Sequence, residues 1–183
     1  MHSDKLTVPN LITTLRILGT IALLFPESFS VPFFVIYTMC GITDILDGTI
    51  ARLTKSTSQF GAKLDSVADL LFYGVMIIKI FPTLWRRLPF KIWFFVAFIV
   101  AVRITAYLVA AFKYHRFASL HTLTNKLTGL MVFAIPYVIN LSVAVIFCFT
   151  AASVAFIASG EELLIHIRNK EYQQSQKTVL EKN

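Results

Sequence analysis

The feature that most restricts this chain is the length of its apolar runs. From Leu127 to Ser159, 33 residues pass without one charged side chain, and hydrophobic residues make up 56% of the 183. A helix needs about 20 apolar residues to cross a bilayer. Within lipid, backbone N–H and C=O groups must be satisfied inside the protein itself, which a helix does segment by segment. The expectation is an all-α, polytopic membrane protein with six transmembrane helices around a cytoplasm-facing polar cavity. It reads as one domain over residues 1–183 with a polar tail from about 168 to 183.

The spans follow from the punctuation. Pro9 and Asn10 open the first helix, which is expected to reach about Phe25, since Pro near a helix start forfeits no hydrogen bond. The second runs from near Pro32 to Leu53, the third from Phe60 to Phe81, and the fourth from Phe90 to Phe112. Pro82 to Pro89 reads as a connection. The long run after the basic segment 113–126 exceeds one span; Asn140 and Ser142 interrupt it, so it divides there into two helices, the first starting near Thr122 and the second ending near Ile167. Cys40 and Cys148 lie inside apolar runs and read as packing residues. The first ten residues are polar, with no secretory signal.

Charge orients these spans. Six crossings put both termini on one side, with twelve Lys and Arg near that side: Lys5, Arg16, Arg52, Lys55, Lys63, Lys113, Arg116, Lys126, Arg168, Lys170, Lys177 and Lys182. The other side has four, Lys79, Arg86, Arg87 and Lys91. The asymmetry places the termini in the cytoplasm and the chain in the cytoplasmic membrane. The net charge of +7 calls for anionic lipid as a partner, and for no nucleic acid.

Four aspartates break the apolar pattern. Asp44 and Asp47 lie about 60° apart on a helix, and Asp65 and Asp69 about 40° apart, so each pair shares a face. If the two helices fold back on each other, all four carboxylates converge. Asp44 precedes Arg52 by eight residues, placing it about 12 Å deeper in the helix. An Asp at the centre of a span costs ~2.5–3.5 kcal/mol on insertion scales, and such groups persist where they line a polar site. Oxygen-only ligands suit Mg²⁺, Mn²⁺ or Ca²⁺. Gly48, Ala51 and Gly61 leave room beside them, for a ligand or for close helix packing. Arg52 can clamp a phosphate or pair with an aspartate.

These residues, Asp44, Asp47, Gly48, Ala51, Arg52, Gly61, Asp65 and Asp69, spell D-x₂-D-G-x₂-A-R-x₈-G-x₃-D-x₃-D. The pattern resembles the signature of the CDP-alcohol phosphotransferases, and Pro9 to Arg16 (PNLITTLR) resembles the start of many phosphatidylglycerophosphate synthases. The resemblance implies a six-helix membrane enzyme, commonly a homodimer, that moves a phosphatidyl group from CDP-diacylglycerol to an acceptor hydroxyl and releases CMP. It implies that Asp44, Asp47, Asp65 and Asp69 bind two divalent ions, Mg²⁺ or Mn²⁺, with Asp69 also the general base. It implies that Gly48, Ala51, Arg52 and Gly61 line the CDP pocket, and that Asn10, Thr13 and Arg16 meet the donor phosphates or the acceptor.

Arg103, inside the fourth span, is a candidate for an anionic acceptor, with a salt bridge to an aspartate as the other reading. The basic segment 113–126 is either an acceptor rim or a solvated positive-inside loop. Glycerol 3-phosphate is the first acceptor expected. The G-K-x-K-T-like stretch associated with those synthases is replaced here by HTLTNKLTG, residues 121–129. That keeps serine, inositol phosphate and phosphatidylglycerol open, and a metal-ion transporter or an inactive membrane scaffold stands as the reading of a different class.

Overall fold

The structure is a computed structural model that describes residues 7–53, 58–114 and 122–169, including all side chains there except those of residues 48, 49, 51, 52 and 59. Six helices and no strand form among the described residues: α1 (Val8–Ala22), α2 (Val31–Leu53), α3 (Gln59–Arg87), α4 (Phe90–Tyr114), α5 (Leu123–Val138) and α6 (Ala144–Arg168). This is the expected all-α membrane architecture. From Phe60 onward α3, and α4 and α6 whole, are long and apolar enough to cross a membrane, while α1 is a shorter apolar helix. The chain divides into two compact units, Met1–Arg86 and Arg87–Asn183.

In the first unit, α1 packs along α2. Thr7 caps α1, its side chain accepting from the Asn10 amide, and Pro9 stands in the first turn. The buried face of α1 is polar: Asn10, Thr13, Arg16 and Thr20 follow one another at helical spacing. Its exposed face is apolar, with Leu11, Leu15, Leu18 and Ile21. That inversion suits a helix whose surroundings are lipid. A Cβ on Gly19 would stand 3.1 Å from the Cys40 sulfur, so glycine sets how closely α1 meets α2.

α2 and α3 run in opposite directions. Near one end Tyr37 stacks on both Phe33 and Phe72, at ring separations of 5.7 and 5.6 Å. Beyond them, Lys79 on α3 donates from Nζ to the carbonyls of Leu24 (3.1 Å) and Pro26 (2.7 Å), and Ser28 Oγ donates to the Lys79 carbonyl at 3.0 Å. The turn held there contains Phe29, a non-glycine residue with φ of 67°. α3 also continues through Pro82 to Arg87, which corrects the expected end at Phe81. Proline removes one intrahelical hydrogen bond, a loss that helices in lipid tolerate better than those in water.

In the second unit, α6 packs against both α4 and α5. Its buried face is a seam of small residues, Ala144, Cys148, Ala151, Ala152, Ala158 and Ser159, and α4 answers with Ala106 and Ala110. Small side chains let helix backbones approach closely where the hydrophobic effect gives no driving force. Thr122 caps α5, its side chain accepting from the Asn125 amide. The α5–α6 turn falls at Ile139–Val143, where Asn140 and Ser142 interrupt the run. At the far end of α6, Lys113 Nζ donates to the carbonyls of His166 (2.9 Å) and Ile167 (2.8 Å), and Tyr114 Oη to that of Asn169 (3.1 Å). These are terminal carbonyls that the helix itself leaves without partners. Both cysteines are buried and unbridged.

Lys79→Met should release the two carbonyls at the α1–α2 turn and lower stability by about 1–2 kcal/mol. Thermal denaturation in detergent against the wild type measures the loss.

Candidate functional site

α1 supplies the centre of the site and α2 and α3 its walls. Arg16 is 3% exposed, and a cation that deep must be paired. Its partners are all four aspartates. Nη1 contacts Asp44 and reaches Asp69 at 3.0 Å; Nη2 contacts Asp65 and lies 3.4 Å from Asp47. Each terminal nitrogen thus joins one carboxylate of α2 to one of α3. The expected convergence of the two carboxylate pairs is present, and the helices carrying them are antiparallel. Arg16 Nε has no hydrogen-bond partner among the described residues.

The four carboxylates differ in surroundings. Asp47 is 5% exposed, and Thr13 Oγ1 lies 2.8 Å from its Oδ2 and 2.9 Å from the Pro9 carbonyl. A hydroxyl has one proton, so Thr13 serves one of these acceptors at a time. The side chains of Asp44, Asp65 and Asp69 are about half exposed. Among the described side chains, these four carboxylates share the one Arg16 guanidinium. Ligand oxygens of Asp44, Asp47 and Asp65 lie within 4.8 Å of one another. That compact, all-carboxylate donor set fits a hard divalent cation.

Gly61, at the start of α3, is also in this region. A Cβ there would stand 2.8 Å from Asn10 Oδ1 and 3.2 Å from Ser58 Oγ. The lack of a side chain at residue 61 is therefore what admits Asn10 of α1. Gly48, Ala51 and Arg52 fall in α2, about one to two turns beyond Asp44, but their side chains lie outside the described residues. So do residues 115–121, half of the basic segment.

Arg103 belongs to a separate polar cluster in the second unit. Its Nη2 donates to Asn125 Oδ1 at 2.5 Å and to Glu162 Oε2 at 3.1 Å, and its Nε to Tyr107 Oη at 3.2 Å. Asn125 Nδ2 donates to the same Glu162 oxygen at 3.3 Å, and Thr124 Oγ1 to Glu161. Glu162 is fully buried. The partner of Arg103 is thus a glutamate of α6 where the sequence reading weighed an aspartate, and Glu161 and Glu162 make local pairs. The central place of Arg16 was not anticipated either. Its signal was the polar spacing of Asn10, Thr13, Arg16 and Thr20 on an otherwise apolar helix.

Thr13→Val should leave the buried Asp47 short of a donor. An expected loss of about 1.5–3 kcal/mol, the range for hydrogen bonds to charged groups, is read from the shift in thermal unfolding.

Comparison with known proteins identifies the family. A family model described as CDP-alcohol phosphatidyltransferase matches residues 6–159. Among curated relatives, a CDP-diacylglycerol–glycerol-3-phosphate 3-phosphatidyltransferase of Pseudomonas fluorescens is 35% identical over 92 residues, 46% of this chain and 47% of the relative. The enzyme of the same name from Haemophilus influenzae is 36% identical over 94 residues, 46% of this chain and 50% of the relative. A CDP-diacylglycerol–serine O-phosphatidyltransferase of Methanocaldococcus jannaschii is 42% identical over 73 residues, 40% of this chain and 31% of the relative. The matches to the two glycerol-3-phosphate enzymes span about half the length of those relatives. No solved structure matches.

Proposed function

Because the chain belongs to the CDP-alcohol phosphatidyltransferase family, we propose that it transfers a phosphatidyl group from CDP-diacylglycerol to the hydroxyl of a small polar alcohol. The observation that supports this most directly is the convergence of Asp44, Asp47, Asp65 and Asp69 about one buried cation. These four would hold Mg²⁺ or Mn²⁺, which when bound neutralises the donor diphosphate and the departing CMP. In the reaction the acceptor oxygen bonds to the β-phosphorus, the bond from that phosphorus to the CMP oxygen breaks, and the acceptor proton passes to Asp69. Arg52, Gly48, Ala51 and Gly61 form the nucleotide pocket in this reading, with Asn10 seated against Gly61. The donor's acyl chains remain in lipid. The chain lies in the cytoplasmic membrane with both termini and the site on the cytoplasmic side, as the basic-residue asymmetry argues, and it works as a homodimer.

Glycerol 3-phosphate is the acceptor we favour, as the names of the bacterial relatives suggest. Serine is the second reading. It draws on the 42% identity to the archaeal serine enzyme and on the balance of Arg103 by Glu162, which weakens its pull on an anionic acceptor.

CMP release by the purified chain in detergent, with CDP-diacylglycerol, Mg²⁺ or Mn²⁺ and one acceptor at a time, tests the proposal. Release that needs both metal and a single acceptor is expected. Absence of release with every acceptor, from folded protein, would sink it. Asp69→Asn should lower turnover by about 10²–10⁴, the usual share of a general base, without unfolding the protein. Near wild-type turnover in that variant would remove Asp69 from the proton transfer.

A further inference from the structure

We infer that Arg16 is a built-in competitor for the divalent cation. The inference rests on the reading that the four aspartates bind metal, and it adds a role for a residue outside the ligand set. The guanidinium contacts the same carboxylates that would coordinate an ion, with one α2 and one α3 oxygen on each terminal nitrogen. Arginine can do this because its planar fork presents donors along two edges. A lysine ammonium, a point charge, cannot bridge both pairs at once.

The guanidinium and an ion would compete for the charge of the same four carboxylates. A guanidinium and a divalent ion a few ångströms apart repel, and Arg16 is itself buried although Asp44, Asp65 and Asp69 are half exposed. An ion would therefore bind more weakly while the guanidinium is in place than after Arg16 has withdrawn. The apparent affinity would then fall as the fraction of molecules with Arg16 on the carboxylates rises. Arg16 also acts as a brace, because it holds four mutually repelling carboxylates together before any metal arrives. The two roles have opposite signatures. Removing the side chain should strengthen metal binding and weaken the protein without metal.

The experiment is a Mn²⁺ titration of the full chain in detergent, free Mn²⁺ being followed by electron paramagnetic resonance without nucleotide or lipid substrate. Wild type, Arg16→Gln and Arg16→Lys are compared, with Asp44→Asn/Asp47→Asn as the control for binding elsewhere. Arg16→Gln is expected to bind Mn²⁺ about tenfold tighter than wild type, or ~1.4 kcal/mol, and Arg16→Lys to fall between them. Thermal unfolding in EDTA and in Mn²⁺ should show a larger Mn²⁺-induced rise for Arg16→Gln than for wild type. If Arg16→Gln does not fold, Arg16→Lys decides, and affinity equal to or below wild type overturns the inference. The same holds for Arg16→Gln if folded. In either case the metal reading survives, provided wild type binds Mn²⁺ and the double aspartate variant does not. No binding at the aspartates in any form overturns both the metal reading and the inference.

Discussion

One buried guanidinium organises the first half of this protein. Without a cation, four carboxylates from two helices could not converge inside an apolar protein, since each repels the others and none can be fully solvated. Arg16 meets that need from a third helix, and in doing so fixes the rotation of α1. Asn10, Thr13 and Thr20 follow on the same face because a helix repeats every three to four residues. Close packing of α1 then needs glycines in two places. Gly19 admits the Cys40 sulfur, and Gly61 admits Asn10. The opposite end of the unit is held by different means, with a lysine on backbone carbonyls and a stack of aromatic rings. Electrostatics thus gathers the polar end and packing the apolar one.

The second unit solves the same problem of a charge among apolar helices with a closed pair. Glu162 is fully buried beside Arg103, and Asn125 bonds to both. Here Arg103 and Glu162 pair one to one. In the first unit four carboxylates meet one guanidinium among the described side chains.

Much of this could be read from the residues alone. The number of helices, the break at Asn140 and Ser142, the Thr122 start of α5 and the meeting of the aspartate pairs all depend on local spacing or on runs too long for one helix. The continuation of α3 past Pro82 departs from the rule that proline ends a helix. That rule rests on proline's missing N–H and ring clash, and membrane helices obey it less strictly because neighbouring groups re-satisfy the freed carbonyl. Arg16 and Arg103 were harder for another reason. Arg16 lies 28 to 53 residues from Asp44, Asp65 and Asp69, and Arg103 lies 59 from Glu162. No spacing rule selects one distant carboxylate for a long, flexible side chain when several are available. The polar stripe on α1 did show that its buried face wanted polar neighbours, though not which ones.

The inverted face of α1 also bears on how the chain is made. A helix of 15 residues that carries an arginine, an asparagine and two threonines on one side is a poor candidate to settle in a bilayer by itself, because an unpaired arginine in lipid is costly. Its counter-charges emerge from the ribosome only with α2 and α3. Stable insertion of α1 must then wait for the hairpin that follows, and the three helices enter lipid as one cooperative assembly. The contacts that shape the site would in that case also set the order of its biogenesis.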